Sequence, residues 1–349
     1  MPSVPNLVER LLLRSGTMPG VMLDILGAAT FRVAGSALRI GLFEALAEKA
    51  LSVADLARKL DISPQGAERM VELLSATGYL EKNGELYGNS ESTRRWLLRD
   101  SPESIVDFVR VWDGSVFDLW QGLEQSVATG KPALHFHDWL TREQGWPMFN
   151  ASMRSAAKVC ADEVARRTGL PAEARRLLDV GGSHALFSAA YCRRYPQLQA
   201  TIFDLPEALP SARQTIEEMG LGDRVGTREG DMVADPFGEG WDALLLFNVL
   251  HYFDSSQNRQ LLAKAAKSLR PGGSIVLLDQ LADRAPLPTA GRFVRTLSLH
   301  YFLSLGGQVY SSSEIEGWLQ AAGFSAPRCL MLRTLPGAYL LVATRTGAK

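Results

Sequence analysis

Between Met18 and Ala50 apolar residues return at helical spacing (Met22, Ile25, Leu26, Phe31, Val33, Leu38, Leu42, Phe43, Leu46), which predicts helix after helix with little polar surface. A segment this apolar needs a partner to cover it. The next stretch, LSVADLARKLDISPQGAERMVELLSATGYLEKNGELYGNS, reads as a helix, a turn at Asp61–Ile62–Ser63, a second helix and a hairpin turning at Lys82–Asn83–Gly84, the pattern of a winged helix. Residues 101–165 again carry helical spacing and hold Phe108, Trp112, Phe117, Trp120, Phe136, Trp139, Trp146 and Phe149. Most such rings are core, with a few left to line a pocket.

From Arg175 the period changes. RRLLDV, ATIFDL, DALLLFNVL and SIVLLDQ are short apolar runs of the kind that fill buried parallel strands, each followed by a turn and a helical pattern. Helices are predicted around Pro206–Met219, Ser255–Leu269 and Ser312–Ala322, and CLMLRT and AYLLVATR form the last two strands. The fold class is α/β, a doubly wound sheet that ends in an antiparallel hairpin and follows a helical N-terminal region. In such sheets ligands sit at the carboxyl ends of the strands where the winding order reverses.

At 349 residues the chain has room for two domains, or one large domain with an appended module. Its 46% hydrophobic and 21% charged residues exclude a disordered or fibrous protein, and a net charge of −1 excludes attraction of the whole chain to nucleic acid or anionic membrane. The second winged-helix segment offers Glu68 and Glu72 against Arg69 alone, so it is read as a dimerisation module and not as a DNA reader. Cys160, Cys192 and Cys329 are widely spaced and odd in number, which fits a reducing compartment. Glu9, Arg10, Arg14 and Asp24 interrupt any signal-peptide core, and the longest charge-free run, Thr296–Ser313, is too rich in Ser and Gly for a membrane span. The expected setting is cytoplasmic, with no membrane contact.

Three strand ends carry candidate chemistry. The first strand ends Asp179–Val180–Gly181–Gly182–Ser183–His184–Ala185 directly before a helix, where glycines let a ligand approach the backbone and the helix start offers N–H groups. The second ends Phe203–Asp204–Leu205, 25 residues after Asp179, where a carboxylate can accept from a ribose diol. The third ends Gly230–Asp231–Met232, where Asp can accept from an adenine amino group and Met can pack on the ring. The runs LLDVGG, FDLPEAL, GDMVADPF, LLLFNVLHYF and LRPGGSIVLLD resemble, in order and spacing, the class I S-adenosylmethionine-dependent methyltransferases, with a Rossmann-like seven-stranded sheet. With the winged helix in front, the chain is similar to the caffeate, hydroxyindole and antibiotic O-methyltransferase family.

That resemblance implies a dimerisation domain over 1–100, a helical linker contributing to the substrate pocket over 101–165, and an S-adenosylmethionine-binding domain over 166–349. It places Asp179, Gly181, Asp204, Leu205, Asp231, Met232, Phe247 and Asn248 at the cofactor, and His251 at the position of the family's catalytic histidine. Trp112, Phe117, Trp120, Met148, Phe149, Met153, His300 and Tyr301 would line the pocket of a small, aromatic acceptor, with Phe293 nearby. The implied partner is a second copy, intertwined through the N-terminal domain. The implied role is O-methylation in secondary-metabolite biosynthesis.

Two departures stand out. Ser183, His184 and Ala185 replace the end of the usual DVGGGTG loop, and His251–Tyr252–Phe253 replaces the usual His-Asp-Trp. His137–Asp138–Trp139 precedes the glycine loop and reads instead as a helix start capped near Asp138. A histidine of ordinary pKa near 6.5 is suited to take the proton of a phenol or enol while the site aligns an in-line displacement. Because the acidic residue after His251 is missing, methyl transfer to an aromatic or enolisable carbon is an alternative, and the altered loop leaves open a family member repurposed for other chemistry. No metal is expected, although His251 and His300 with a carboxylate such as Asp254 or Asp279 would be the residues to hold one.

Overall fold

The computed structural model describes residues 7–141, 145–285 and 287–347. They divide into two compact units, Met1–Gly114 and Ser115–Lys349, so the helical stretch 101–165 is shared between them.

The first unit holds α1 (Leu7–Arg14), α2 (Val21–Arg39), α3 (Leu42–Ala45), β1 (Leu51–Ser52), α4 (Val53–Leu60), α5 (Pro64–Ala76), β2 (Leu80–Asn83), β3 (Leu86–Asn89), α6 (Glu91–Trp96) and the start of α7 (Val106–Leu119). The local signals explain the boundaries. The Ser52 hydroxyl accepts the Asp55 N–H at the start of α4, Asp61 ends that helix in the left-handed region, and Ser63 followed by Pro64 begins α5. The wing forms a three-stranded sheet in the order β1-β3-β2. Its turn lies at Gly84 and Glu85, because Lys82 and Asn83 stay paired in β2 and Gly84 takes the positive φ (59°). The expected turn at 82–84 was therefore placed too early.

Leu42, Phe43, Leu56, Val71 and Leu74 form the core of this unit. Asp113 is buried there against Arg32 (3.1 Å) and Arg39, packed so closely on Gly35 that any side chain at 35 would overlap its carboxylate. By contrast, Leu7, Val8, Leu11 and Leu12 of α1 and Val21, Met22, Ile25 and Leu26 of α2 are exposed. Among the described residues, α2 is the one helix long and apolar enough to cross a membrane by length and composition.

The second unit continues with α8 (Leu123–Thr129), α9 (Phe136–Leu140), α10 (Gly145–Thr168), β4 (Arg176–Val180), α11 (Leu186–Arg194), β5 (Gln199–Asp204), α12 (Leu209–Glu218), β6 (Val225–Glu229), β7 (Trp241–Phe247), α13 (Ser255–Ser268), β8 (Leu269–Gln280), α14 (Pro288–Leu305), α15 (Ser312–Ala321), β9 (Arg328–Met331) and β10 (Ala338–Thr344). The sheet order is β6-β5-β4-β7-β8-β10-β9. β4 to β8 run parallel, while β10 is antiparallel to both β8 and β9. Every residue of β7 is buried, as a strand covered on both faces requires.

Helices α10 and α11 cover one face through Val164, Ala165, Phe187 and Tyr191, and α13 and α15 the other through Leu262, Ala265, Trp318 and Leu319. A buried side chain also staples α10 to the β9–β10 loop. Glu163 accepts the backbone N–H groups of Arg333 and Thr334, the Thr334 hydroxyl and the Arg167 guanidinium. Burial alone would raise its pKa, but those hydrogen bonds outweigh it and hold the carboxyl at about 2. Within this sheet the chain enters at β4, third in the order, winds outward through β5 and β6, then reverses through β7 and β8. The crevice lies where β4 and β7 end.

Candidate active site

At the end of β4 the chain turns on two glycines for different reasons. A Cβ at Gly182 would lie 2.6 Å from Asp179 Cγ, whereas Gly181, at φ 76°, faces Val249 Cγ2 (3.3 Å) and Met232 Cε (3.4 Å). Gly181 thus lines a narrow cradle between the β7 exit and the β6 exit, where an added side chain would press on both. Asp179 is buried and accepts the Ser188 hydroxyl (2.7 Å), and burial pushes its carboxyl up to about 6.

Asp204, at the end of β5, is buried as well. It accepts the N–H of Ser183 (3.1 Å) on one oxygen and the N–H of Leu205 (2.8 Å) on the other. Those bonds do not offset burial, which pushes its carboxyl up to about 7. A carboxylate has about four acceptor positions, so one on each oxygen is left for a diol.

The substituted glycine loop keeps its turn. Ala185 adopts the left-handed conformation (φ 64°) and begins α11, and its N–H bonds Gly182 O (2.8 Å). His184 is buried and accepts the Leu186 N–H on Nδ1 (3.2 Å), while burial lowers its pKa to about 4. It is a neutral residue at a helix start. With Met153, Ala156, Cys160, Phe187 and Asn248 it lines a small cavity.

After β6, a Cβ at Gly230 would lie 2.3 Å from Phe203, which brings the following turn close to β5. In that turn Asp231 accepts the Val233 N–H (2.7 Å) and donates its own N–H to Asp235 (2.8 Å), while Met232 leans toward Gly181.

β7 runs out through Phe247, whose ring meets Phe187 edge-on, and Asn248, at φ 54°, into the 3-10 turn Leu250–Tyr252. This turn presents His251, buried, with Nδ1 2.8 Å from Asp279 Oδ1 at the end of β8. The same oxygen accepts the Gln280 N–H (3.0 Å), and Asp279 Oδ2 has no hydrogen-bond partner among the described residues. The Tyr301 ring lies flat on His251, with centroids 3.9 Å apart and planes 4° apart. Behind the turn, a Cβ at Gly307 would fall 2.0 Å from the His251 carbonyl oxygen, and Tyr310 donates to Phe253 O (2.6 Å). His251 is therefore gripped through its ring and through its peptide.

Asp254 does not join this group. Its carboxylate accepts the Gln257 N–H in a capping box that starts α13. Among the described residues, no three His, Cys, Asp or Glu side chains come together as a metal site, so His251, His300 and Asp254 form no ligand set. His300 instead accepts the Trp120 indole N–H on Nδ1 (3.1 Å), and burial, then His251, lower its pKa to about 4.

Trp120, Trp146, Met148 and Phe149 pack round Leu119, Phe136, Trp139, Leu140 and Leu303, which brings together three of the expected lining residues, Trp120, Met148 and Phe149, and through Trp120 reaches His300. Phe117 lies on α7, its carbonyl accepting from Gln121 (2.8 Å), and Phe293 is exposed on α14. Trp112 belongs to the first unit, where it packs on Phe108 (6.1 Å). The cap of α9 is His135, which accepts the His137 N–H, and not Asp138. His137 then reaches the rings of Trp146 and Tyr252, each at 6.0 Å.

In the sequence Asp279 enters beside His251 only as a candidate metal ligand and Tyr301 only as a pocket-lining residue, and nothing there foretells the His251–Asp279 hydrogen bond, the stacking of Tyr301, the packing of Gly307 or the contacts of His137. A carboxylate ending the predicted strand SIVLLDQ was the one usable signal, since strand ends converge on the crevice.

The comparisons fit this geometry. A family model described as the O-methyltransferase domain matches residues 120–325, and one described as the O-methyltransferase dimerisation domain matches 24–99. The chain is similar to a 3-hydroxy-5-methyl-1-naphthoate 3-O-methyltransferase of Streptomyces sahachiroi, at 29% identity over 88% of this chain and 89% of that one. It is also similar to the tetracenomycin polyketide synthesis 8-O-methyl transferase of Streptomyces glaucescens, at 29% identity over 84% and 87%. Its fold matches the solved mitomycin 7-O-methyltransferase with a TM-score of 0.85, at 23% identity over 96% of this chain and all of that one.

Proposed function

Because this chain belongs to the S-adenosylmethionine-dependent O-methyltransferase family, we propose that it methylates a hydroxyl of a small, planar aromatic acceptor, with His251 as the general base. The observation that carries this reading is the buried His251–Asp279 pair beside the Gly181 cradle. Asp279 accepts the hydrogen bond of the Nδ1–H, which leaves the Nε2 lone pair free to accept the hydroxyl proton. The imidazolium so formed sits against the Asp279 carboxylate, which stabilises it. The flat Tyr301 contact and the Gly307 contact hold the ring and the peptide during that transfer, so base and acceptor oxygen keep their alignment.

The residues present fit the cofactor. Gly181 leaves the room a side chain would fill, the remaining lone pairs of Asp204 suit the ribose diol, and Asp231 with Met232 suits adenine, with Leu205, Asp179, Phe247 and Asn248 completing the frame. S-adenosylmethionine, when bound, supplies a methyl group on a positively charged sulfur. Trp120, Met148 and Phe149, with His300 and Tyr301, are assigned to the wall of the acceptor site, and Met153, which lines the small cavity beside His184, to its cofactor side. One Streptomyces relative is named for a hydroxylated naphthoate and the other for tetracenomycin polyketide synthesis, and a hydroxylated fused aromatic acceptor, in secondary metabolism, is assigned here.

The dimerisation-domain match and the exposed apolar faces of α1 and α2 support a homodimer through the first unit. Three free cysteines fit a cytoplasmic setting. Tyr252 in place of an acidic residue favours a second reading, transfer to carbon. Incubation with carbon-13 methyl-labelled S-adenosylmethionine and a panel of hydroxylated fused aromatics separates the two. A labelled methyl ether supports this proposal, and a labelled C-methyl product replaces it.

A further inference from the structure

The turn that carries Asp231 and Met232 has little of its own to hold it. One backbone hydrogen bond (Asp235 N–H to Asp231 O, 2.8 Å) and two side-chain bonds close it, and the carbonyls of Met232, Val233 and Asp235 turn inward to one point. At that point sits the ammonium of Lys264, 2.5 Å from Met232 O, 3.1 Å from Val233 O and 2.8 Å from Asp235 O. Three donors meet three acceptors, which is all that an ammonium can offer. Its charge also lies 4.6 Å above the Phe237 ring.

The lysine comes from a fixed support. The Asp254–Gln257 capping box starts α13, and Leu261, Leu262 and Ala265 bury the helix in the core. α13 also begins directly after the turn that presents His251, so one rigid helix connects the base to the β6 exit.

We infer that Lys264 is a positioning residue for the nucleoside end of the cofactor: it clamps the 231–235 turn so that the Asp231 carboxylate and the Met232 thioether face an adenine. This rests on the reading of Asp231 and Met232 as the adenine contacts. A neutral side chain at 264 leaves three carbonyl dipoles aimed at one another, and the turn opens. A guanidinium keeps the charge, but its planar fork cannot place three N–H groups on one point, so arginine restores the clamp only in part.

The test is calorimetric titration of the full chain and of Lys264→Met, Lys264→Arg and Asp231→Ala with S-adenosylhomocysteine and with 5′-methylthioadenosine, together with amide hydrogen exchange. Lys264→Met is expected to weaken both ligands by the same factor, at least about tenfold, because both share the adenine. Lys264→Arg should fall between it and the parent, and the amides of 231–236 should exchange faster while those of β4 and β7 keep their protection. If Lys264→Met does not fold, the same titrations on Lys264→Arg decide, with parental affinity overturning the inference. Affinity of Lys264→Met within about twofold of the parent beside a weakened Asp231→Ala overturns the role of Lys264 alone. Loss of S-adenosylhomocysteine binding with 5′-methylthioadenosine unaffected overturns it too. Unchanged affinity in Asp231→Ala overturns the adenine reading and the inference with it.

Discussion

Gly307→Ala should disable the base while the cofactor contacts at the ends of β4, β5 and β6 stay in place. The added Cβ would lie 2.0 Å from His251 O and 2.8 Å from two carbonyl carbons, where real contacts are not closer than 3.0 Å, so one of the two backbones must yield by about 1 Å. Neither is a flexible side chain. The 306–310 segment is tied down by the Tyr310 hydroxyl on Phe253 O and by the Ala282 N–H on Tyr310 O (2.9 Å), so the displacement falls on the 250–252 turn. A misplacement of about 1 Å costs on the order of 10²-fold in turnover, and overpacking costs about 1–3 kcal/mol of stability. Gly181, Asp204 and Asp231 stand on other strand ends, so S-adenosylhomocysteine affinity should stay at the parental level.

Gly306→Ala is the matched control. Its Cβ meets nothing closer than Pro132 Cδ at 3.8 Å, and only its positive φ (79°) is strained, so it should lose about 1 kcal/mol of stability and little turnover. The assays are steady-state methyl transfer at saturating substrates, calorimetric titration and urea unfolding. A folded Gly307→Ala with turnover within about threefold of the parent would refute the reasoning.

Further predictions concern three proton-bearing groups. Asp279→Asn should lower turnover by on the order of 10²–10⁴-fold with cofactor affinity kept, because an amide no longer fixes the His251 tautomer or stabilises the imidazolium; steady-state kinetics beside titration checks it. Asp204, raised by burial to about 7, must ionise to accept a diol, so S-adenosylhomocysteine should bind more tightly from about pH 6 to about pH 8, an increment absent from Asp204→Asn. In the apoprotein the sign reverses, because a raised carboxyl contributes stability at low pH that is lost as pH rises from about 4 through about 7, and unfolding curves against Asp204→Asn read it. Glu163 has the opposite shift, to about 2, so its contribution of about 3 kcal/mol is present above about pH 4.5 and lost as pH falls toward about 2. The stability gap between the parent and Glu163→Gln should shrink over that range.

What could be read from the sequence was what is local. Periodicity, caps and turn residues located the strands and the main helices within a few residues, and the three strand-end motifs lie round one crevice. The wing turn was misplaced because Asn83–Gly84 is a strong turn dipeptide, yet Asn83 finds a partner in Leu86 across the hairpin. The site's second layer was hidden because it is assembled from distant residues. Asp254, three residues from His251, was the nearest carboxylate in sequence, but the partner is Asp279, 28 residues away on the adjoining strand. Lys264 reads as one more solvated lysine until the β6 exit folds over it. Gly307 reads as a helix terminator until its packing against the His251 peptide is seen.

The most direct test compares the parent with His251→Ala in a single turnover of preloaded, methyl-labelled S-adenosylmethionine onto a hydroxylated fused aromatic acceptor, with S-adenosylhomocysteine affinity measured on the same samples. A labelled methyl ether from the parent, slowed by on the order of 10²–10⁴-fold in His251→Ala at unchanged affinity, is the predicted result. An undiminished rate in His251→Ala would contradict the assignment of the base, and with it the reading of the His251–Asp279 pair as the centre of the reaction.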